Sequence, residues 1–193
     1  MHSLFRVMRV MSIGVFAAIS VGLSTHALDA RFVFEDLPSI GTSGGTAFSR
    51  ECPDNHVLTG IRYRSGFLLD AVGIKCRPVK SDGTLGAEIS WGGMVGGSGG
   101  TSGSVSCPSN AVIVEQGGKG GPAVGIHTLK MGCYSWIPSA KKWGLPGFPR
   151  IYVIGSTTTF LYHACSEHTQ PATGIKGKQG DFVDSFRLHC STP

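Results

Sequence analysis

Charged residues are scarce in this sequence, at 15% of its 193 positions, and the basic ones are scattered rather than clustered. A nucleic-acid surface needs a concentrated basic patch, so we predict no nucleic-acid partner. No segment shows a sustained helical period. Beyond the first 27 residues, no segment is apolar for long enough to cross a bilayer, so we predict no membrane insertion.

Patterns for catalysis and metal binding are also missing. The sequence has no CxxC pair, and its lone CxxH, Cys165 to His168, has no second pair at ligand spacing. No Ser-His-Asp or paired-carboxylate arrangement can be defended, and the GGSGG stretch lacks the lysine and the helix of a phosphate loop. We therefore predict a protein that is not an enzyme and that needs no metal and no cofactor. We expect His189, opposite Leu188 on a predicted strand, to be exposed.

The first 27 residues have the pattern of an export signal. Arg6 and Arg9 give a basic start, residues 13–23 form a short apolar run, and Ala27 ends a small-residue cleavage site. A membrane anchor or a buried strand is the alternative reading of this segment. We take residues 1–27 as a signal peptide and predict one exported domain over residues 28–193, which is secreted or, in a bacterium, periplasmic.

Composition and periodicity both favour strands. Glycine is abundant, at 29 residues, and abundant glycine with sparse charge favours a turn-rich β protein over helices. Apolar residues alternate with polar or small ones over 57–63, 72–76 and 186–190, which is the period of a strand. Short strands at regular spacing with turn signals between them predict an all-β sandwich or barrel-like body.

An internal repeat organises the chain. Residues 60–76 and 174–190 share a glycine, a second glycine six residues on, an aspartate four further and a cysteine six further. Cys133 lies 57 residues from the final cysteine of each copy and marks a middle copy, in which His127 stands in the place of the aspartate. We predict three repeats, over about 28–80, 81–135 and 136–193.

Six cysteines in an exported chain indicate three disulfides. Many pairings are open to six cysteines, and the repeat selects one of them: Cys52–Cys76, Cys107–Cys133 and Cys165–Cys190. The reason is that a repeat that folds as one sheet brings its own ends together. Each bond closes a loop of about 25 residues, which is worth about 3 kcal/mol in the chain-entropy model.

Two glycine loops stand shortly before the Cys-Pro steps. They are GTSGGT at 41–46 and GGSGGT at 96–101. A flexible linker is the alternative for the second stretch. Its parallel with the first stretch favours a structured loop.

The run GTSGGTAF…VLTGIRYRSGFLLDAVGIKC resembles the jacalin-related lectins, in which a glycine loop, a strand, a G-x-x-x-D loop and a strand follow in this order. The resemblance covers nearly all of 28–193 as three repeats. It implies an all-β fold, a β-prism of three four-stranded Greek-key sheets around a pseudo-threefold axis. The cysteine pattern departs from these lectins and is similar to the vitelline membrane outer layer protein family, another three-sheet prism. A disulfide-braced structural or coat protein without sugar binding is therefore the alternative function.

The resemblance also implies two hexose sites of the mannose/glucose type. In the lectins the aspartate accepts hydrogen bonds from sugar hydroxyls, and backbone N–H groups of the two loops donate. A carboxylate accepts several such bonds, which are strengthened by its charge, and a phenylalanine adds an apolar face. The implied residues are Gly66, Phe67, Leu68 and Asp70 facing Gly99 and Gly100, and Gly180, Asp181, Phe182 and Asp184 facing Gly44 and Gly45.

The third site is incomplete, because the middle copy lacks G-x-x-x-D and the last copy lacks the paired glycines. The alternative for Asp70 and Asp184 is a turn residue that satisfies local N–H groups. The expected partners are glycans or glycoconjugates, and a homo-oligomer is left open.

Overall fold

The computed structural model describes residues 34–121, 125–155, 162–166 and 170–193, so the predicted signal peptide lies outside the described residues. Within these ranges the chain forms strands and one short 3-10 turn, Pro138–Ala140. No helix in them is long and apolar enough to span a membrane. The strands are β1 Phe34–Asp36, β2 Ile40–Gly41, β3 Thr46–Glu51, β4 His56–Ser65, β5 Leu69–Pro78, β6 Ile89–Gly96, β7 Thr101–Ser106, β8 Ala111–Gly121, β9 Gly125–Ile137, β10 Lys142–Pro146, β11 Ile151–Ile154, β12 Tyr162–Ala164, β13 Ala172–Gln179 and β14 Val183–Ser191.

Three antiparallel sheets share one topology, and each has a hairpin at its centre and an edge strand on either side. Sheet I has the order β1/β2–β14–β13–β3, sheet II the order β6–β5–β4–β7, and sheet III the order β10/β11–β9–β8–β12. The predicted three-sheet Greek-key prism is confirmed. Sheets I and III differ from the prediction in one respect, since one edge of each is divided into two short strands, both of which pair with the same neighbour.

The core lies between the three sheets, where alternate residues of each central hairpin point inward. Ile61 pairs with Ile74 in sheet II, and Ile175 pairs with Leu188 in sheet I; all four side chains are fully buried. The buried apolar side chains of the three sheets form a single cluster. The period-two pattern of the sequence is therefore the signal of the faces that meet in this core.

The three disulfides have the predicted pairing, Cys52–Cys76, Cys107–Cys133 and Cys165–Cys190. The expected reason for that pairing is wrong, because one sequence copy does not fold as one sheet. Sheet I takes β1, β2 and β3 from one end of the described chain and β13 and β14 from the other. In each pair the first cysteine follows an edge strand of one sheet, and the second lies on the central hairpin of the next sheet. The disulfides therefore join neighbouring sheets around the prism.

A buried glutamine takes the place of a core isoleucine in sheet III. Gln116 pairs with Met131, as Ile61 and Ile175 pair with their partners, and its side chain is fully buried. Its Nε2 donates to the Pro38 carbonyl at 2.7 Å, and its Oε1 accepts from the Leu188 N–H at 2.6 Å. Pro38 lies in the break between β1 and β2. The glutamine amide therefore supplies the hydrogen bonds that the divided edge of sheet I leaves unmade.

The expectation that His189 is exposed is wrong. Its side chain is buried, and Nδ1 donates to Asp36 Oδ1 at 2.6 Å, because β1 pairs with β14 and brings the two side chains together. Burial by itself raises the pKa of Asp36, but the hydrogen bond from His189 and the charge of Lys176 outweigh it and hold that pKa below its usual value. The lysine ammonium lies 3.3 Å from the carboxylate.

Candidate functional site

The first candidate site, here the Asp70 site, lies at the end of sheet II where β4 turns into β5. Gly66 is in the turn, and Asp70 is the second residue of β5. The glycine loop between β6 and β7 lies against this turn. The N–H of Gly97 donates to the Asp70 carbonyl at 2.8 Å, and a Cβ on Gly99 would lie 2.6 Å from Asp70 Oδ1. The structure thus brings Asp70 together with Gly99 and Gly100.

The second candidate site, here the Asp184 site, repeats this arrangement at the end of sheet I. Gly180 is in the turn between β13 and β14, and Asp184 is the second residue of β14. The facing glycine loop joins β2 to β3, and the N–H of Thr42 donates to the Asp184 carbonyl at 2.8 Å. A Cβ on Gly44 would lie 3.7 Å from Asp184 Oδ1, and a Cβ on Gly45 would collide with Oδ2. Residues 142 positions apart meet here because both chain ends share sheet I.

Two glycines are required where the loops approach the carboxylates most closely. Gly45 has φ +77° and Gly100 has φ +63°, a left-handed conformation that side chains other than glycine rarely adopt. A Cβ at either position would also fall on the carboxylate of its site. The backbone of each glycine loop can therefore lie against its aspartate only without a side chain there.

Neither aspartate carboxylate accepts a hydrogen bond from the described part of the chain. Oδ2 of Asp70 and Oδ2 of Asp184 are both buried without a partner, and neither Oδ1 is fully buried. Buried polar atoms in native proteins nearly always have partners, so each exception needs an explanation. The local N–H groups that a turn aspartate would satisfy are not bonded to these side chains. Two acceptors of negative charge are thus held in place with their capacity unused.

A basic side chain fixes each glycine loop. In the Asp70 site, Arg64 donates to the carbonyls of Gly99 and Gly100 at 2.7 and 2.8 Å and to the Ser102 hydroxyl at 2.8 Å. In the Asp184 site, Lys178 donates to the Ser43 carbonyl at 2.6 Å. These residues were not predicted as site residues. The repeat contained the signal, because Arg64 and Lys178 are equivalent positions with the same charge.

The middle copy forms a third loop end, here the His127 apex, with the same backbone frame. Gly155, at φ +81°, would place a Cβ 2.6 Å from the His127 carbonyl. Gly41 and Gly96, also at positive φ, stand in the same relation to the carbonyls of Asp184 and Asp70. His127 therefore occupies the aspartate position in space as well as in sequence. Counting from Gly155, residues 158 and 159 are threonines in the place of the paired glycines, and they lie outside the described residues.

The remaining predicted residues border neighbouring loops. Phe67 is 83% exposed and lines a pocket at the His127 apex. A Cβ on Gly97, in the glycine loop of the Asp70 site, would collide with the Asp181 carbonyl, so Asp181 lies beside that loop. Phe182 lines a pocket of about 340 Å³ at the Asp184 site. Leu68 is half-buried in the turn before Asp70. Within the described ranges no three side chains of metal-ligating type come together.

Three antiparallel Greek-key sheets around one core, with paired loops at their ends, define a β-prism. This is the fold of the jacalin-related lectins. A structure of Malaysian banana lectin is 13% identical, with a TM-score of 0.53 over 84% of this chain and 99% of the other. Artocarpin, a lectin with mannose specificity, is 14% identical, with a TM-score of 0.55 over 83% of this chain and 97% of the other. A mannose-binding jacalin-related lectin from Ananas comosus is 19% identical, with a TM-score of 0.50 over 83% and 98%.

At these identities the likeness establishes the fold and nothing further. Neither a protein-family model nor a curated protein matches the sequence. The residue resemblance noted above and the structural likeness therefore agree on the β-prism, and the function has to be argued from the loop ends.

Proposed function

We propose that the protein is a secreted, non-enzymatic lectin that binds hexoses of the mannose/glucose type at the Asp70 site and the Asp184 site. One observation carries the proposal: both carboxylates stand without protein partners in equivalent loop ends, each against a glycine loop. The solved structures of similar fold support it, since artocarpin and the Ananas comosus protein are described as mannose lectins.

The chemistry of the loop ends suits a sugar. Adjacent hydroxyls of a hexose donate to a carboxylate, and hydrogen bonds to a charged group contribute about 1.5–3 kcal/mol net. Glycine loops without side chains let the sugar ring approach backbone N–H groups closely. At the Asp184 site, Phe182 adds an aromatic surface to the pocket. Carbohydrate sites combine these three components to recognise hydroxyls and the apolar face of the ring.

Two sites on one chain make binding to clustered glycans stronger than binding to a single sugar. A monosaccharide offers few apolar atoms and loses rotational and translational entropy, so its affinity is weak. A branched glycan that engages both sites makes the second contact intramolecular and gains avidity. The three disulfides fit an exported protein, since such bonds persist in oxidising compartments.

The test is calorimetric titration with methyl mannoside of the wild type, Asp70→Asn, Asp184→Asn and the double variant. Each single change should weaken its own site by about tenfold to a hundredfold, because a neutral amide replaces a charged acceptor. The double variant should show no measurable binding. Asp54→Asn is the matched control, because Asp54 is exposed before β4, at the opposite end of sheet II.

Thermal unfolding of the same variants separates the lectin from the structural alternative. Exposed loop substitutions usually change stability by less than about 0.5 kcal/mol, so the melting temperature should hold. Hexose binding with unchanged stoichiometry in the double variant would refute the lectin. Early melting of the double variant would make the aspartates structural and favour the coat-protein function.

A further inference from the structure

The His127 apex has a pocket of its own. Its volume is about 440 Å³, and its lining includes Phe67, Lys119, His127, Thr128 and Gly155. The frame matches the two aspartate sites, as the positive-φ glycine shows. The pocket is thus a third loop end, built on the same backbone from different side chains.

The hydrogen-bonding character of this pocket is the reverse of the aspartate sites. His127 replaces a carboxylate that only accepts with an imidazole that also donates. The Thr128 hydroxyl lies 3.4 Å from His127 Nδ1. A neutral imidazole that accepts from this hydroxyl has its proton on Nε2, where it can donate to a ligand.

A lysine in this pocket has no protein partner in the described ranges. Lys119 pairs with Thr128 as Arg64 pairs with Ala71 and Lys178 with Ser185, so the three basic side chains are equivalent. The other two hold their glycine loops. Lys119 is exposed, and no hydrogen bond or ion pair joins it to another described residue. Its ammonium is therefore available at the pocket.

Charge and shape then limit the class of ligand. None of the described residues that line the pocket is acidic. Phe67 offers an exposed ring, and an aromatic face is a surface on which the apolar face of a sugar packs. A lysine and an imidazole N–H beside that ring favour a negatively charged group, because charge-assisted hydrogen bonds are stronger than neutral ones.

We propose that the His127 apex binds a saccharide with an anionic substituent, a carboxylate or a sulfate. Lys119 and His127 contact the anionic group, and Phe67 contacts the ring. The proposal uses the same frame as the lectin sites but needs neither Asp70 nor Asp184. The protein would then take neutral hexoses at two loop ends and an acidic sugar at the third.

The test is NMR or calorimetric titration of the full mature chain with methyl glucuronide, glucose 6-sulfate and the neutral control methyl glucoside. Each anionic sugar should bind about fivefold more tightly than the glucoside at low salt, which is the upper range for an exposed ion pair. The gain should shrink as salt screens the charges. Lys119→Gln with His127→Gln should abolish it, whereas Lys142→Gln, an exposed lysine at the other end of sheet III, should leave it intact.

Three outcomes decide the proposal. A gain that persists in Asp70→Asn/Asp184→Asn and is lost in Lys119→Gln/His127→Gln supports it, whatever methyl mannoside does at the aspartate sites. Equal binding of charged and neutral sugars overturns it. A gain that is lost in the aspartate double variant instead assigns the acidic sugar to the lectin sites and also overturns it.

Discussion

The two aspartate loop ends and the His127 apex share a backbone and differ in chemistry. All three have a glycine at positive φ whose Cβ would collide with the carbonyl of the key residue. Two then have a carboxylate beside paired glycines, and the third has an imidazole beside an unpaired lysine. The comparison teaches that the frame of a β-prism loop end is fixed by backbone bonds, so that two or three side chains decide the ligand.

The middle copy differs from the other two in the core as well. Where Ile61 and Ile175 are apolar, Gln116 bonds to the backbone of sheet I. The threefold symmetry is therefore broken where sheet I has a divided edge and sheet III must compensate for it. The variants below test each of these differences, in order of the effect that we expect.

Gln116→Met should have the largest effect. Methionine keeps the volume but leaves the Pro38 carbonyl and the Leu188 N–H buried without partners, and each such group costs about 1–3 kcal/mol. The free energy of unfolding in urea should fall by about 2 kcal/mol or more. Gln179→Met is the control, because the Gln179 carboxamide oxygen is already buried without a partner in the described ranges. Equal effects of the two changes would show that the Gln116 bonds are not special.

Gly45→Ala should remove the Asp184 site and leave the Asp70 site intact. The new Cβ would fall on Asp184 Oδ2, and alanine at φ +77° costs about 1–2 kcal/mol. Gly44→Ala is the matched control, since its Cβ would lie at an ordinary 3.7 Å from Asp184 Oδ1. Mannoside titration should give one site per chain for Gly45→Ala and two for Gly44→Ala. The reverse order would show that the loop does not lie against this aspartate in solution.

Arg64→Gln should weaken the Asp70 site more than Lys178→Gln weakens the Asp184 site. Arg64 holds three acceptors of its loop and Lys178 holds one. We expect about a tenfold loss for the arginine and about a threefold loss for the lysine, since a hydrogen bond contributes about 1 kcal/mol net. Arg64→Lys should restore part of the affinity if the cation holds the loop. Lys119→Gln should leave mannoside affinity unchanged.

His127→Asp should have no effect on hexose stoichiometry. The carboxylate would be restored, but threonines 158 and 159 stand where the other copies have paired glycines. Calorimetry should still give two hexose sites per chain. A third site in this single variant would show that the paired glycines are dispensable, and the proposed roles of Gly45 and Gly100 would then be wrong.

The repeat predicted more of the structure than its own reasoning justified. The strand faces follow the alternation at Ile61 and Ile74, and the disulfides have the predicted pairing. The expectation that a copy closes on itself was wrong, because a sequence repeat has no marked beginning and the sheets divide it at another point. Arg64 was visible only as half of an aligned pair, since nothing in its own sequence indicates that its side chain turns back onto a loop 35 residues away.

By itself the sequence determined the period-two faces, the cysteine pairs, and the positions of two G-x-x-x-D loops and two paired-glycine loops. These are local patterns, and the physics of strand alternation and of glycine at tight turns acts on a few neighbouring residues. Only the tertiary structure decided that β3 pairs with β13, that Asp184 meets Gly44 and Gly45, and that His189 lies under Asp36. Those contacts follow from closing the prism through sheet I, where burial of a common core selects partners that are far apart in the chain.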